Sequence, residues 1–593
     1  MIPGGYFHRV LVVDLTSGTS KLWRPPEELW ARFLGGKGAG LKILYDLGLE
    51  AEPFAPESPL LFLTGPVTGS PVPTSARSCA VFFSPLTNSA VDSHAGGHFG
   101  PALRRLGLDG LVILGRAERP VYLEVRPDRA LLHPAEGLWG QGIFATEAAL
   151  KERHPGAEVA SIGPAGERRV RFACVGTALW RQFGRGGAGA VMGAKNLKAL
   201  VVPPGTERVP IADEERFRDL NRKLVEDLLQ HPMRKRREEL GTTMWIRLAQ
   251  EAGFLPTRNF REVRFAHFEG ITAEAMRREL AWEPRGCFNC PIRCGKLARW
   301  DGFVLEGPEY ETAAFLGANL GIGEARAVAY ANWLCDDLGL DTISTGVVLA
   351  FALEAAERGL LPLTQRFGDA AGVLASIRAI ALPREGVGNL LAEGTRIAAE
   401  RLGPEAQYFA IQVGGMELSG VNPKGCASMG LSLATADFAS HTRFWSATAE
   451  MQGALTVDAV PQFVKEGQDE VAARNSLIVC DFLPFGLERL APVCAALTEM
   501  PTTPEGLRQA GERIENLHRL INLVRGRRED TLPERFFAEP HEAGLFAGRP
   551  FTREDFRRWL RHYYALRGWD EGGRPTPERL AALGLPGERL ARF

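Results

Sequence analysis

Three cysteines lie close together in the segment GCFNCPIRCGK. Cys287, Cys290 and Cys294 follow the spacing C-x2-C-x3-C. This spacing lets one short loop direct several thiolates to a single centre, as tetrahedral zinc and iron–sulfur clusters both require. Zinc sites usually have a second pair of closely spaced ligands, whereas the other cysteines, at positions 79, 174, 335, 426, 480 and 494, stand singly. The spacing favours an iron–sulfur cluster, with zinc and unligated thiols as alternatives.

A glycine-rich segment, FGRGGAGAVMGAKNLKAL, has the composition of an anion-binding loop. Gly184, Gly186 and Gly189 match the dinucleotide pattern G-x-G-x-x-G. The match is weak, because no clear βαβ unit surrounds it and no convincing acidic ribose ligand follows about 20 residues later. The backbone N–H groups can still bind a phosphate, and the Arg185 guanidinium adds a planar set of donors. We predict an anion-binding loop; the alternative is a tight turn without a ligand.

A third segment, LCDDLGLDTIS, gathers carboxylates around a glycine. Asp336, Asp337 and Asp341 flank Gly339 between two helical patterns. Carboxylates in such a turn can accept hydrogen bonds from a heterocycle's N–H groups, or bind Mg²⁺. Taken alone, the pattern is more typical of a capped junction between helices.

The elements that position these residues change character along the chain. Short β-branched runs separated by glycine, proline and aspartate predict a β-rich beginning; they are Arg9–Leu15, Pro59–Gly65, Asp109–Gly115 and Pro120–Val125. Later, apolar residues recur three and four positions apart, as in Asp213–Gln230 and Gly511–Gly526, which predicts long helices. We predict an α+β fold with a β-rich domain at 1–208 and two mainly helical domains at 209–410 and 411–593.

Composition excludes several classes of protein. The formal net charge of −1, from 70 basic and 71 acidic residues, gives no general attraction to nucleic acid or to an anionic membrane. A basic run at Arg234–Arg237 is followed at once by Glu238 and Glu239, which predicts a solvated helix face. We find no charged leader and no apolar stretch of about 18 residues, so we expect a cytoplasmic protein. Nine mostly scattered cysteines do not suggest a disulfide scaffold.

The motifs follow one another in order along essentially the whole chain. They include LTGPVTGSPVPTSAR, DSHAGGHFGPALRRLGLDG, the glycine-rich segment, the cysteine segment, GPEYETAAFLGANLGI, LCDDLGLDTIS and NSLIVCDF. In this order they resemble the aldehyde:ferredoxin oxidoreductase family of tungsten enzymes. The resemblance implies a β-rich domain that seats a tungsten bis-pterin cofactor with a bridging Mg²⁺, covered by two helical domains. It also implies one [4Fe-4S] cluster that passes electrons to ferredoxin or a ferredoxin-like subunit.

The same resemblance assigns roles to individual residues. It implies that Cys287, Cys290, Cys294 and the distant Cys480 ligate the cluster, because the surroundings of Cys494 do not match. It implies cofactor contacts for Arg77, His94, Gly96, Arg185, Gly186, Ala188, Gly189, Asp336, Leu340, Asp341, Arg443, Asn475 and Val479. Three positions depart from the family pattern: Asn475 replaces the usual Asp, Ile478 the usual Gly, and His94 the expected Asn.

For the chemistry, the resemblance indicates Glu311 and His441 as an acid/base pair. A buried carboxylate can take a proton, and a histidine can polarise a carbonyl oxygen. The implied reaction is oxidation of a small aldehyde to its acid at tungsten, or at molybdenum in its place, in a chain compatible with a homodimer. The alternatives are a relative of the catalytic subunit of tungsten-dependent aromatic acyl-CoA reductases, and a non-catalytic iron–sulfur or zinc protein.

Overall fold

The computed structural model describes residues 2–382, 386–437, 444–527 and 529–587. Two residues with predicted roles, His441 and Arg443, lie outside these ranges. The described chain has the predicted α+β character, with a β-rich N-terminal part and a mainly helical remainder. Across the described ranges, no helix is both long enough and apolar enough to cross a membrane. The domain boundaries at 208/209 and 410/411 stay predictions.

The N-terminal part holds most of the strands. Its elements are β1 (Val10–Asp14), β2 (Thr19–Trp23), α1 (Glu27–Phe33), α2 (Gly36–Leu47), β3 (Leu60–Leu63), β4 (Ser78–Phe83), β5 (Ala90–Ala95), α3 (Phe99–Arg105), β6 (Gly110–Leu114), β7 (Val121–Val125), β8 (Ala130–Pro134), α4 (Ile143–Arg153), β9 (Glu158–Ser161), α5 (Pro164–Glu167), β10 (Val175–Thr177), β11 (Arg181–Phe183), α6 (Ala188–Ala194) and β12 (Leu197–Val202). The four β-branched runs of the sequence form β1, β3, β6 and β7, so that prediction is confirmed.

Within the described residues up to 204, these strands form two mixed sheets of the same topology. The first has the order β2-β1-β6-β3-β4-β5 and the second the order β8-β7-β12-β9-β10-β11. Each sheet with its connecting segments forms one unit of the chain. In each unit the strand that comes first along the chain pairs in parallel with the strand that comes last, β1 with β6 and β7 with β12. The other neighbours are antiparallel. The β-rich part is therefore a structural duplication without a visible repeat in the sequence.

In both units the outermost strand leads through glycines into a helix. β5 continues through Gly96 and Gly97 to α3, and β11 continues through Gly184–Gly187 to α6. The edge strands β5 and β11 contact each other, so the two glycine turns lie near the same junction. β11 and β12 run in opposite directions, as their pairings through β10 and β9 require. The glycine loop is thus no part of a parallel βαβ unit, in agreement with its weak dinucleotide pattern.

The remainder is mainly helical. Its elements are α7 (Glu214–Gln230), α8 (Pro232–Leu240), α9 (Trp245–Ala252), α10 (Ala273–Leu280), β13 (Glu283–Arg285), β14 (Gly295–Trp300), β15 (Phe303–Glu306), α11 (Tyr310–Leu316), α12 (Ala325–Leu338), α13 (Thr342–Glu357), α14 (Ala370–Ala381), α15 (Val387–Leu391), α16 (Thr395–Leu402), α17 (Pro404–Tyr408), β16 (Gln412–Val413), β17 (Met416–Glu417), α18 (Ala427–Ala434), α19 (Ala447–Met451), α20 (Val460–Leu477), α21 (Leu487–Thr498), α22 (Pro504–Val524), α23 (Arg535–Ala538), α24 (Arg553–Arg567) and α25 (Pro577–Ala582). The two quoted helical patterns correspond to α7 and to part of α22, so both are confirmed.

Helices from both parts of the chain enclose the first sheet. α2 packs on β4 and also contacts α20 and α22. A Cβ atom at Gly40 of α2 would lie 2.5 Å from Val81 Cγ2 of β4, so the glycine permits close approach of helix and sheet. This packing brings the end of α20, and the cysteine that follows it, against the N-terminal part.

Candidate active site

The four cysteines predicted to bind a cluster line one cavity. Cys287, Cys290 and Cys294 lie between β13 and β14, and Cys480 follows the end of α20. All four are partly buried free thiols, and they line a cavity of about 280 Å³ that we call the thiol cavity. The backbone N–H of Cys480 donates to the Thr74 carbonyl oxygen at 3.2 Å. Thiols from distant parts of the sequence therefore meet against the β-rich part.

The separation of these thiols argues against a single zinc ion. Tetrahedral coordination with Zn–S bonds of about 2.3 Å brings thiolates to roughly 3.8 Å from one another. In the described part of the chain, the groups of three or more potential ligands that all lie within 4.8 Å of one another contain none of these four cysteines. The wider arrangement suits a multi-iron cluster better.

Burial raises the pKa of three of the thiols. It raises the pKa of Cys290 to about 11, and it is also the largest cause of the raised pKa values of Cys294 and Cys480. Neighbouring cysteines add to each shift, whereas Arg77 lowers the pKa of Cys480 and Arg181 lowers that of Cys294. Thiolates in this cavity therefore need a strongly positive centre beside them, such as the irons of a cluster.

Two arginines border the thiol cavity. Arg77 forms an ion pair with Asp481 at 2.6 Å. Arg181 Nη1 lies 2.9 Å from Glu306 Oε1 and 3.3 Å from Glu309 Oε1. Burial by itself lowers the pKa of Arg181. The opposite effect of Glu306, the nearby thiols and Glu309 is larger, so the pKa lies well above its ordinary value. Both guanidinium groups stay charged and can stabilise a thiolate-ligated cluster.

The backbone of Gly96 approaches the first cysteine closely. A Cβ atom at Gly96 would lie 2.9 Å from Cys287 Sγ, nearer than such atoms normally approach. Gly96 also lines the thiol cavity. Only glycine therefore leaves room for the Cys287 thiol at this position, while the predicted contact of Gly96 with the cofactor stays a prediction.

We expect Gly96→Ala to reduce cluster loading, because the added methyl group would displace Cys287. Iron per purified chain should fall to below about half of the wild-type value, a loss comparable to that for disturbed ligand shells. Gly184→Ala is the matched control, because a Cβ atom there meets nothing closer than Gln182 Cβ at 3.8 Å, although Gly184 lines the same cavity. Equal iron contents in the two variants would contradict the steric role of Gly96.

The predicted acidic segment is a capped helix junction and also part of the cavity wall. α12 ends at Leu338 and is followed by Gly339, which has a φ of +79°. Asp341 caps α13 by accepting a hydrogen bond from the Ile343 N–H at 2.9 Å. Asp336, Leu340 and Asp341 all line the thiol cavity. The segment is therefore a capped junction between helices, and its carboxyl groups are also placed where they could contact a bound heterocycle.

Asp336 has the surroundings of a carboxyl group that keeps its proton. Its side chain accepts hydrogen bonds from Gln182 Nε2 at 3.1 Å and Asn332 Nδ2 at 3.2 Å. Burial, followed by the charge of Glu306, raises the pKa of Asp336 well above its usual value. A protonated carboxyl group can both donate and accept hydrogen bonds, as contact with the ring nitrogens of a heterocycle requires.

Arg185 is fixed by protein groups at a second cavity. Its Nε donates to Asp341 Oδ2 at 3.0 Å, and its Nη2 donates to Ser344 Oγ at 3.3 Å and to the Glu417 carbonyl oxygen at 2.8 Å. Arg185 and Asp341 line a cavity of about 540 Å³, which we call the large cavity. The guanidinium contributes positive charge to this wall, while its contact with a cofactor phosphate stays a prediction.

The other predicted residues of the glycine-rich loop are closely packed. Gly186 has a φ of +89°, and a Cβ atom at Gly189 would lie 2.2 Å from the Cys174 carbonyl oxygen. Among the described residues that line the thiol and large cavities, Gly184 is present but Gly186, Ala188 and Gly189 are not. Their glycine content is explained by packing, and their phosphate contacts stay predictions.

The departures at the end of α20 lie behind the cavities. Asn475 and Val479 are buried. Neither is among the described residues that line the two cavities. Ile478 has a φ of +65°, a conformation that glycine adopts more readily than a β-branched residue. A Cβ atom at Gly36 or Gly65 would meet the Ile478 side chain, so that side chain is closely packed. The cofactor contacts of Asn475 and Val479 stay predictions.

His94 lies where the two cavities adjoin. It lines both of them, and its Nε2 is 2.9 Å from Asp92 Oδ2. The Asp92 carboxylate is in turn 3.9 Å from the buried Lys37 ammonium. The aspartate orients the imidazole, and the ring position suits the predicted contact with a cofactor.

Glu311 lies in the large cavity on the first turn of α11. The Gly420 N–H donates to Glu311 Oε2 at 2.9 Å, and the Tyr310 hydroxyl donates to the Gly420 carbonyl oxygen at 2.5 Å. Burial raises the pKa of Glu311 to about 7, against the lowering effects of Arg185 and the Gly420 N–H. Such a carboxyl group can both take up and release a proton near neutral pH.

Aromatic rings form an apolar wall near Glu311. Trp245, Tyr310 and Trp445 line the large cavity. The Trp445 ring centroid lies 5.8 Å from that of Trp245 and 5.7 Å from that of Tyr310. This wall can exclude water and contact the organic part of a substrate.

Several residues of the site were not found from the sequence. They are Arg181, Glu306, Glu309, Trp245 and Trp445. Arg181 lies two residues before the glycine-rich segment and Glu309 lies two residues before Glu311, but no local pattern indicates that they form an ion pair. Proximity to a recognised motif was the one signal that could have drawn attention to them.

The two cavities together suit an electron-transferring cluster beside a cofactor with anionic and nitrogen-containing groups. The thiol cavity offers four thiols, and arginines and carboxyl groups line both cavities. Glu309, Thr312, Asp341 and His94 line both, so the cavities adjoin. The donor set fits the groups that the sequence predicts.

Two family models match the chain. The model described as aldehyde ferredoxin oxidoreductase, N-terminal domain, matches residues 10–204. The model described as aldehyde ferredoxin oxidoreductase, domains 2 and 3, matches residues 219–585. Together they cover most of the chain.

Similar proteins match over nearly their full length. A tungsten-containing aldehyde ferredoxin oxidoreductase of Pyrococcus abyssi is 37% identical, over 98% of this chain and 99% of the relative. The WOR-like subunit of an aliphatic sulfonate oxidoreductase of Pyrococcus furiosus is 31% identical, over 98% of this chain and 97% of the relative. A solved active-site complex of benzoyl coenzyme A reductase with 1,5-dienoyl-CoA is 26% identical, with a TM-score of 0.85, over 100% of this chain and 98% of that one.

Proposed function

The chain belongs to the aldehyde ferredoxin oxidoreductase family, and we propose that it oxidises an aldehyde to a carboxylic acid and passes the electrons to ferredoxin. The family is one of tungsten oxidoreductases and implies a tungsten bis-pterin and an iron–sulfur cluster. The observation that carries the proposal is the adjoining pair of cavities. One holds four thiols and the other holds a carboxyl group with a pKa of about 7.

The residues present suit these groups. We assign Cys287, Cys290, Cys294 and Cys480 to a [4Fe-4S] cluster. Arg77, His94, Gly96, Asp336, Leu340 and Asp341 would hold the pterins and their Mg²⁺, together with Arg185 and the glycine-rich loop. When bound, the tungsten bis-pterin supplies the two-electron redox chemistry that protein side chains cannot.

The side chains of the large cavity bind and deprotonate the reactants. In the overall reaction, the aldehyde carbon gains an oxygen atom from water and releases two electrons and two protons. Ionised Glu311 accepts a proton as the C–O bond forms. The aromatic wall holds the organic group and excludes bulk water. We assign to His441, which lies outside the described residues, a hydrogen bond to the carbonyl oxygen.

Metal analysis and an activity assay test this proposal. We expect on the order of one tungsten, or one molybdenum, and about four irons per chain. We also expect aldehyde-dependent reduction of a viologen dye. Zinc alone, or metal-replete protein that oxidises no aldehyde, would overturn the proposal.

A second candidate is reduction of an aromatic coenzyme A thioester. The solved benzoyl coenzyme A reductase complex, with its TM-score of 0.85 over the whole chain, favours it, while the higher identity to aldehyde ferredoxin oxidoreductases favours the first proposal. Incubation of reduced holoenzyme with an aryl-CoA separates the two. Ring reduction together with failure to oxidise any aldehyde would establish the second candidate instead.

A further inference from the structure

The helix α8 lies directly on both loops that supply the four cysteines. The Arg237 Nη1 donates to the Phe482 carbonyl oxygen at 2.7 Å, and its guanidinium lies 4.5 Å from the centroid of the Phe482 ring. The Arg234 Nη1 donates to the Pro291 carbonyl oxygen at 3.4 Å. Pro291 follows Cys290, and Phe482 lies two residues after Cys480. The helix therefore packs against both loops that supply the thiols.

This helix carries a concentrated positive charge and no buried residue. Arg234, Lys235, Arg236 and Arg237 lie on it, and Arg293 of the cysteine loop joins them with 51% of its side chain exposed. We call these five residues the basic surface. Glu238 and Glu239 are the acidic residues of α8, so the basic surface and these two residues together carry a net positive charge. The whole chain, by contrast, has a formal net charge of −1.

The basic residues of α8 divide into two kinds. Arg234 and Arg237 hold the cysteine loops, and Glu238 pairs with Arg234 at 2.8 Å and with Arg293 at 3.1 Å. Lys235 and Arg236 are exposed, and in the described ranges no ion pair of either is found. Their charges contribute nothing evident to folding, since exposed unpaired cations on a helix add little stability.

We propose that the basic surface is the docking site of an electron carrier with an acidic face, which receives electrons from the cluster. The inference rests on the proposed function. Oxidation of one aldehyde releases two electrons, so two one-electron carriers must dock and be reduced in succession. The partly exposed Cys290 and Pro291 beside the surface bring the cluster near the interface. Complementary charge raises the rate of encounter without requiring tight binding, as rapid turnover of a carrier needs.

The test is charge reversal at the two exposed residues in the holoenzyme. For Lys235→Glu/Arg236→Glu we expect at least about a tenfold higher KM for an acidic ferredoxin, and a weaker dependence of that KM on ionic strength. Reduction of a small viologen dye should be unchanged, because the dye needs no docking surface. Lys235→Arg/Arg236→Lys, which keeps both charges, should retain the wild-type KM.

The matched control is Arg557→Glu/Arg558→Glu. It reverses two adjacent exposed cations on α24, which packs against α18 and α20 rather than against the cysteine loops. This control should leave the KM for ferredoxin unchanged. An equal rise in both reversal variants would overturn the proposal, because the effect would then be one of overall charge.

Direct binding of oxidised ferredoxin to the holoenzyme, measured at low and high salt, separates this inference from the proposed function. If no aldehyde is oxidised, weaker binding of ferredoxin to Lys235→Glu/Arg236→Glu alone still supports the docking site. If Lys235→Glu/Arg236→Glu binds ferredoxin as tightly as the wild type, the docking proposal is overturned. This holds also if the variant loses affinity for an oligonucleotide, since the basic surface would then bind nucleic acid and not the electron carrier.

Discussion

Glu311→Gln is expected to lower kcat for aldehyde oxidation by about 10²- to 10⁴-fold, the usual contribution of a positioned general base. Glutamine keeps the size of the side chain and can still accept from the Gly420 N–H, which donates to Glu311 at 2.9 Å. It cannot accept the proton that water loses as it adds to the carbonyl carbon. Metal and iron contents should equal those of the wild type, which separates loss of the base from loss of a cofactor.

The pH profile of the wild type gives an independent check on the same residue. Burial raises the pKa of Glu311 to about 7. A base acts in its ionised form, so kcat should fall as the pH decreases below 7, by about tenfold per unit at the acidic end. Glu311→Gln should abolish this acidic limb. Glu306→Gln is the control: burial also raises the pKa of Glu306 to about 7, but Glu306 lies in the thiol cavity. If the acidic limb persisted in Glu311→Gln and disappeared in Glu306→Gln, the base would be Glu306 and the assignment to Glu311 would be wrong.

The strands and long helices could be predicted because their signals are local. A buried run such as Leu60–Leu63, and the apolar period of α7, reflect the faces that each element must bury. The duplication of the two sheets could not be predicted from the sequence. It consists of a shared strand order and direction, which unrelated side chains can produce equally well. The glycine turns of Gly96 and Gly184 occupy corresponding places in the two units, yet their flanking sequences differ.

The candidate site divides in the same way. The cysteine loop and the segment around Asp341 could be found from spacing, since each is compact in sequence. Arg181 and Glu306 are 125 positions apart (306 − 181), and their ion pair exists because β11 and β15 meet at the thiol cavity. The glycine-rich loop shows the converse case, since its dinucleotide-like spacing is explained by the packing of α6 as well as by any ligand.

The residue before Val479 illustrates why a departure from a family pattern needs the backbone to be interpreted. Ile478 has a φ of +65°, so the usual glycine is favoured there by conformation and not by its lack of a side chain alone. The isoleucine side chain packs on Gly36 and Gly65, which offsets part of the conformational cost through apolar burial. The Ile478 side chain therefore packs against the N-terminal part of the chain two residues before Cys480.

Cys480→Ser is expected to lower the iron content well below four per chain and to reduce aldehyde-dependent dye reduction by at least about tenfold, as loss of a ligand should exceed the effect of losing an outer partner. Serine is nearly isosteric, but its hydroxyl is far less acidic than a thiol and ligates iron poorly. The surroundings of residue 480 also disfavour an ionised side chain, because burial raises the pKa of the Cys480 thiol and Arg77 only partly counters this. Iron analysis and the visible absorbance of the purified protein measure the loss.

Cys494→Ser is the control that makes this prediction specific. Cys494 is the nearest other cysteine in the sequence after Cys480, and burial alone raises its pKa to about 12, with no contribution from another cysteine. It lies within α21, packed among apolar side chains, so the same substitution should cost some stability but leave iron and absorbance intact. If instead Cys494→Ser removed the cluster and Cys480→Ser retained it, the fourth ligand would be the residue in α21. The approach of Cys480 to Thr74 would then serve only to join the helical part to the β-rich part.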